Sequence, residues 1–144
     1  MREEREFPRQ MDALEDVLAT TDAFLERIPA DEQTAFAARL AVEELFTNAV
    51  RHGVGGADHV TITLALEKRT LTITVTDFDV EPWDPGNLPE VDTHRPLRER
   101  TPGGLGIHIL RRLFDDMDWS YTDRTLRITV SKELEPSDVR SAST

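Results

Sequence analysis

The sequence predicts a two-layer α/β sandwich, an α+β fold in which a mixed, mainly antiparallel sheet carries about three helices on one face. Three patterns support this prediction. Apolar residues recur at helical spacing up to residue 53, alternate with polar residues over residues 60–66 and 71–75, and return to helical spacing after residue 106. A chain of 144 residues has room for one domain with a single core, which we place at residues 4–135.

The first half of the domain is expected to contain one strand and two helices. Residues 4–10 predict a short edge strand. A helix should follow from Asp12 to Ile28, because Asp12 and Glu15 have the spacing of a capping box and the apolar residues after them keep the helical period. A proline-containing turn breaks this helix, and the second helix ends at Gly53.

The second half is expected to contain two strand pairs, separated by a long loop and a helix. The alternating segments on either side of Lys68-Arg69 predict an antiparallel hairpin with one buried face. From Asp77 to Pro102 the chain is rich in proline and has little periodicity, which is typical of a functional loop or of disorder. A helix should begin at the glycine-rich segment, followed by a strand pair within residues 119–130 and a disordered tail at residues 136–144.

The composition argues against several classes of function. The net charge of −11 disfavours nucleic acid as a partner, because phosphate binding needs a basic face, and it disfavours anionic membranes as well. The absence of cysteine excludes disulfides, a thiol nucleophile and a cysteine-based zinc site. No apolar run has the length of a membrane span, and residues 1–6 lack a signal-peptide core, so we expect a cytoplasmic protein.

Two polar side chains stand out on the second helix. At about 100° per residue, Glu44 and Asn48 lie roughly 40° apart, on the edge of an apolar arc. A carboxylate can accept a proton, and a carboxamide oxygen is a hard ligand suited to magnesium. Glu43 lies about 140° from Asn48 and is not expected to share that site. A solvated helix edge explains the same pair, so the functional interpretation needs support from the rest of the chain.

Two further segments supply that support. Asp77 follows a predicted strand, where an acid can accept a hydrogen bond from an exocyclic amine such as that of adenine, although acids are also common in turns. The segment Gly103-Gly104-Leu105-Gly106 opens a predicted helix. Glycine lets the backbone approach a ligand closely, and a helix N-terminus presents unpaired N–H groups to an anion. The alternative for this segment is a flexible loop.

In this order and at these separations, the three segments resemble the nucleotide-binding boxes of the GHKL ATPases, the group that contains gyrase, histidine kinases and MutL. The resemblance is closest to the small bacterial anti-sigma factor serine kinases and covers residues 4–133. The family's first box reads approximately E-x-x-x-N-A-x-x-H-G, its second begins with the Asp of D-x-G, and its third is G-x-G. The matching residues are Glu44, Asn48, Ala49, His52 and Gly53, then Asp77, then Gly103, Gly104, Gly106 and Ile107.

The resemblance implies a histidine-kinase-type ATPase fold, ATP or ADP with Mg²⁺ as cofactors, and a role for each residue. Glu44 would be the general base that takes the proton from an attacking hydroxyl. Asn48 would coordinate the magnesium ion that bridges the phosphates. Asp77 would bind the adenine amine, and Gly103, Gly104 and Gly106 would let backbone amides reach the phosphates. Residues 86–102 would form the lid over the nucleotide.

The resemblance also implies a function in bacterial partner switching. The protein would be an ATP-dependent serine/threonine kinase that phosphorylates a STAS-type anti-sigma antagonist and, when free, binds a sigma factor as an anti-sigma factor. Relatives of this kind commonly dimerise, so a homodimer is among the expected assemblies. One departure supports an alternative: Asp79 stands where the family has the glycine of D-x-G. A degenerate GHKL-fold module that sequesters a regulatory partner with weak or no catalysis is therefore the rival hypothesis.

Overall fold

The computed structural model describes residues 1–53, 55–82 and 104–135. Within these ranges the chain forms five strands and three α-helices, which confirms the predicted two-layer α+β fold. In chain order the elements are β1 (Arg2–Pro8), α1 (Leu14–Glu26), α2 (Glu32–His52), β2 (His59–Glu67), β3 (Thr70–Asp77), α3 (Gly104–Leu113), β4 (Asp116–Thr122) and β5 (Thr125–Glu133).

The strands form one sheet in the order β1-β2-β3-β5-β4. Its four pairings within the described ranges are all antiparallel, so the predicted antiparallel character is confirmed and no parallel pair is seen there. Both predicted strand pairs are present, β2 with β3 and β4 with β5. Because β5 lies between β3 and β4, the strand that ends at Asp77 is central in the sheet.

Two-residue turns close both hairpins. Lys68-Arg69 joins β2 to β3, as the sequence predicts, and Glu67 faces Thr70 across the turn. Asp123 and Arg124 join β4 to β5 with φ angles of 53° and 60°. Positive φ at both central residues is the signature of a type I′ turn, whose twist matches that of the flanking strands.

The first two elements differ from the sequence prediction at their ends. The edge strand covers Arg2–Pro8 instead of residues 4–10. The predicted capping box at Asp12 is wrong: Asp12 lies within a 3₁₀ turn (Met11–Ala13), and α1 begins at Leu14 with no side-chain cap. Helix α1 also ends two residues before Ile28, because Arg27 N–H turns back onto the Phe24 carbonyl (3.0 Å).

Helix α2 has the boundaries that local sequence signals specify. Asp31 is its N-cap, and its Oδ1 accepts the Thr34 backbone N–H at 2.7 Å. At the other end, Gly53 N–H donates to the Ala49 carbonyl at 2.9 Å. The apolar arc of this helix is buried, including Val42, and it packs on the sheet.

The core lies between the helices and one face of the sheet. Alternate residues of the three inner strands point into it, which explains the alternating pattern of the sequence. The opposite face carries polar side chains, among them Thr63, Thr74 and Arg127. The strand and helix residues that fill the core include Val60, Ile62, Leu64, Leu71, Ile73, Val75, Leu126, Ile128, Val130, Val17, Phe24, Ala41, Leu45, Phe46 and Leu110.

Among the described helices, none combines the length and the apolar character that crossing a membrane would require. The single-domain boundaries at residues 4–135 remain a prediction, and the predicted tail at residues 136–144 lies outside the described residues.

Candidate functional site

Helix α2 carries Glu44 and Asn48 one turn apart, next to its buried face. Asn48 is fully buried, with 0% of its surface exposed, whereas Glu44 is half-buried. Glu43 is exposed, as its position on the helix predicts. The pair is therefore not a solvated helix edge, since one member is enclosed completely.

Several buried polar atoms near α2 and β3 have no hydrogen-bond partner in the described part of the chain. They include Glu44 Oε2, both amide atoms of Asn48, and Asp77 Oδ2. Each unpaired buried donor or acceptor costs about 1–3 kcal/mol, so native structures keep few of them. Three residues that the sequence singles out thus have unused hydrogen-bonding capacity. This is the property expected where a ligand supplies the missing partners.

The surroundings of Glu44 favour its neutral form. Burial raises the pKa of Glu44, the neighbouring Glu43 carboxylate raises it further, and Arg51 acts in the opposite direction. A carboxylate whose pKa is raised is a stronger base than one with an ordinary pKa. The position of Glu44 therefore suits proton transfer better than that of the exposed Glu43.

The first turn of α3 packs directly against Glu44. A Cβ atom placed on Gly106 would overlap the Glu44 carboxyl group, including Cδ and Oε2. The sequence predicts that Gly106 brings backbone amides to an anion, and the structure adds a second use: Gly106 leaves room for the Glu44 side chain. Gly104 is the first residue of α3, and Gly103 lies outside the described residues.

Asp77 is the last residue of β3 and is buried, with 2% of its surface exposed. One carboxylate oxygen, Oδ1, accepts a hydrogen bond from Arg9 Nη2. Burial raises the pKa of Asp77, and the hydrogen bond and positive charge of Arg9 act against that rise. The turn-residue alternative does not hold, because a buried acid paired through only one of its oxygens is not a solvated turn residue.

The sequence analysis missed Arg9, which immediately follows β1. Its guanidinium also donates from Nε to the Ala57 carbonyl (2.7 Å) and from Nη1 to the Ala49 carbonyl (2.9 Å). Cβ atoms on Gly53 and Gly56 would overlap it. The cluster of glycines after α2 is the sequence signal, because such glycines indicate that another group approaches the backbone closely.

The sequence matches the histidine kinase-like ATPase domain over residues 7–132. The chain belongs to this family. The match confirms the resemblance to the GHKL ATPases and implies that the protein binds a nucleotide. No curated protein sequence gives a significant match.

A solved structure supports the same fold for this histidine kinase-like ATPase. The crystal structure of the RsbU and RsbW domains of Rv1364c from Mycobacterium tuberculosis aligns with a TM-score of 0.67 at 17% identity. The alignment covers 93% of this chain and 32% of that chain, so the present chain spans about a third of the protein it resembles. At this identity the likeness is evidence for the fold.

The residues of this candidate site fit a nucleotide and a divalent cation. Asn48 has a buried amide oxygen without a partner, a hard donor of the kind that magnesium prefers. Asp77 Oδ2 is a buried acceptor without a partner, suited to an amine donor. In the described part of the chain, no group of three or more acidic, histidine or cysteine side chains could hold a metal alone.

Asp79 occupies the glycine position of the ATPase family's second box. Its φ angle is 62°, the left-handed conformation for which glycine is the preferred residue. Arg124, in the type I′ turn, donates from Nε to Asp79 Oδ1 (3.3 Å) and from Nη2 to the Asp79 carbonyl (3.1 Å). The aspartate thus adopts a backbone conformation that glycine readily accommodates, and its charge is paired with an arginine.

We expect Asp79→Gly to tighten nucleotide binding, but only by a few-fold. Glycine relieves the left-handed strain and removes a negative charge two residues beyond Asp77, the acid expected to bind the adenine amine. The effect should be small because the carboxylate side chain is 72% exposed and paired, and such charges contribute about 0–1 kcal/mol. Calorimetric titration with ADP measures the change.

Arg124→Gln provides the matched test of this charge. It leaves Asp79 without its cation and should weaken binding, and Asp79→Gly in the same background should restore it. Weaker binding by the Asp79→Gly variant alone would mean that this aspartate contributes to the site.

Part of the predicted site lies outside the described residues. This holds for Gly103 and for the lid at residues 86–102. The structure brings Glu44 and Gly106 together where α2 meets α3, with Asn48 one turn further along α2, and it brings Asp77 together with Arg9 at the end of β3.

Proposed function

We propose that this protein is an ATP-dependent serine/threonine kinase that acts as an anti-sigma factor and phosphorylates a STAS-type antagonist. The observation that carries the proposal is the set of buried polar atoms without partners on Glu44, Asn48 and Asp77. A nucleotide would supply hydrogen-bond partners to these atoms, and the half-buried Glu44 carboxylate would be the general base. The family match and the RsbW-containing neighbour support the same class of protein.

Each residue then has one task. ATP with magnesium supplies the phosphoryl group that is transferred. Asp77 would accept a hydrogen bond from the adenine base, Asn48 would ligate the cation through its amide oxygen, and the backbone amides at the start of α3 would bind the phosphates. Glu44 takes the proton from the serine or threonine hydroxyl of the partner. Phosphoryl transfer asks mainly for positioning and charge neutralisation, so this small set is sufficient.

The direct test is phosphorylation of a partner. The protein is incubated with ATP, magnesium and the STAS-type antagonist encoded nearest to it, and intact-mass analysis follows the partner. Addition of one phosphate group to a serine or threonine supports the proposal. No added phosphate, in a sample that demonstrably binds ATP and forms the complex, rejects it.

The rival function is a binding module that sequesters a sigma factor or another regulatory partner without catalysis. Asp79 in the glycine position is the observation that favours it. The two functions differ in their dependence on nucleotide. A pure binding module should hold its partner equally well with ATP and with no nucleotide, whereas the kinase should release a phosphorylated antagonist.

Gly106→Ala should lower the rate of phosphorylation without lowering the stability of the fold. The added methyl group would displace the Glu44 carboxylate, so phosphorylation should fall by about tenfold or more, a smaller loss than the roughly 10²- to 10⁴-fold effect of removing a general base. Folding should be nearly unchanged, because alanine favours a helix by about 1 kcal/mol over glycine and the displaced group is the end of a flexible side chain.

The measurement pairs phosphorylation rate with urea unfolding of the same sample. His108→Ala, an exposed change on the same helix, is the control and should retain the wild-type rate. Full activity in the Gly106→Ala variant would show that Glu44 does not need its observed position.

A further inference from the structure

Arg9 is buried in the site, yet the roles assigned above do not use it. Its side chain is 13% exposed, and its guanidinium joins three segments: the end of α2 at Ala49, the following loop at Ala57, and the end of β3 at Asp77. Two glycines leave the space that it occupies. A guanidinium held by three acceptors cannot rotate away from Asp77 without losing two other hydrogen bonds.

The two carboxylate oxygens of Asp77 differ in their hydrogen bonding. Arg9 donates to Oδ1, and Oδ2 stays buried without a partner. Oδ2 lies near Gly53, where an added Cβ would come within 2.8 Å of it. The carboxylate is therefore fixed in orientation by one cation, and its second oxygen can only accept a hydrogen bond.

We propose that Arg9 is the positioning residue that sets base selectivity in the nucleotide site. By holding Oδ1, it presents Oδ2 as an acceptor to a base that carries an exocyclic amine, and it disfavours a base that carries an oxo group at the same place. An oxo base would bring a second acceptor against Oδ2 and leave both without a donor. This inference rests on the proposed function as an ATP-dependent kinase. It adds Arg9 as the residue that orients Asp77 and so determines which nucleotide base binds.

The proposal predicts an inversion of base preference in Asp77→Asn. The new side chain has one oxygen and one NH₂ group in place of two oxygens. Arg9 can donate only to the oxygen, so the amide must turn its NH₂ group to the position of Oδ2. The site then offers a donor where the wild-type protein offers an acceptor. It should accept the 6-oxo group of inosine and reject the 6-amino group of adenine.

The test is calorimetric titration of ATP and ITP, each with magnesium, into four proteins. The wild-type protein should favour ATP by about tenfold or more, the result of one mismatched buried hydrogen bond. Asp77→Asn should favour ITP instead. Asp77→Asn combined with Arg9→Met should lose this preference, because nothing then orients the amide. Asp77→Asn combined with Arg9→Lys should keep it, since the ammonium group still donates to the oxygen.

A merely structural Arg9 would affect both nucleotides equally, so the ratio of affinities is the deciding quantity. Arg5→Met, a loss of the same charge from β1 at a side chain that contacts Glu3 and Thr20, should leave the ratio unchanged. Urea unfolding of the ligand-free variants establishes that each is folded. The nearly isosteric Asp77→Asn can overturn the inference by itself, because unchanged or uniformly weakened binding would contradict it. If the preference does invert, the Arg9 double variants test whether Arg9 orients the amide.

The titrations distinguish failure of the proposed function from failure of the role proposed for Arg9. A wild-type protein that binds neither ATP nor ITP overturns the proposed function and this inference together. A wild-type protein that binds ATP, with no change of preference in Asp77→Asn, overturns the role of Arg9 and the contact of Asp77 with the nucleotide base, and leaves nucleotide binding and the kinase proposal standing. Inversion that persists in the Arg9→Met double variant also overturns that role, since the amide would then be oriented by another group.

Discussion

Glu44→Gln is expected to abolish phosphorylation of the STAS-type partner while nucleotide binding stays nearly intact. Glutamine preserves the shape and packing of the side chain beside Gly106, but it cannot accept the hydroxyl proton. Loss of a general base typically lowers the rate by about 10² to 10⁴. Ground-state contacts change little, so the loss should appear in the rate of transfer and not in affinity.

The exposed neighbour on the same helix provides the control for this prediction. Glu43→Gln removes the same charge one residue earlier, at a side chain that does not face the site. Rates of phosphate incorporation are followed by intact mass, and affinity for ADP by calorimetry. Equal losses of rate in the two variants would mean that the effect is one of charge and that Glu44 is not the base.

Asn48→Ala is expected to weaken nucleotide binding only when magnesium is present. The Asn48 side chain is fully buried and its amide atoms have no partner in the described part of the chain, so its removal breaks no protein hydrogen bond there. A metal ligand, in contrast, contributes only through the cation. Removal of a residue that only supports a metal ligand typically lowers affinity by about tenfold or more. Asn48 is expected to bind the cation directly, so we expect a loss in affinity of at least this size.

The experiment compares ADP titrations in magnesium and in EDTA for the wild-type protein and the variant. Thr47→Ala is the matched control, because this neighbouring buried side chain bonds to the Glu43 carbonyl of its own helix at 2.8 Å. It should not change the magnesium dependence. An equal loss in EDTA would identify Asn48 as a structural residue of the pocket.

Local sequence patterns were sufficient for most of the fold. The alternation over residues 60–66 and 71–75 predicted the β2–β3 hairpin and its turn at Lys68-Arg69, because one face of each strand is buried. The span of α2 to its end at Gly53 followed from helical period and capping. The capping box at Asp12 failed because a 3₁₀ turn precedes α1, and spacing alone does not distinguish a 3₁₀ turn from the start of an α-helix.

Only those parts of the candidate site that lie within a single helix or loop could be predicted from the sequence. The helical spacing of Glu44 and Asn48 places both at the edge of one buried face, and that is a property of α2 alone. The glycine-rich start of α3 is equally local. The ordering of three short motifs along the chain then indicated the family, which the match over residues 7–132 confirms.

The contacts between distant segments were decided by the tertiary structure. Arg9 and Asp77 are 68 residues apart, and Asp79 and Arg124 are 45 residues apart. Pairing β1 with β2 and β2 with β3 brings the first pair to one end of the sheet, and the β4–β5 turn brings Arg124 to Asp79. No local period encodes which side chains meet across such distances, because that depends on strand order and register. The sequence therefore specified the groups that can do chemistry, and the packing of the sheet and helices specified their partners.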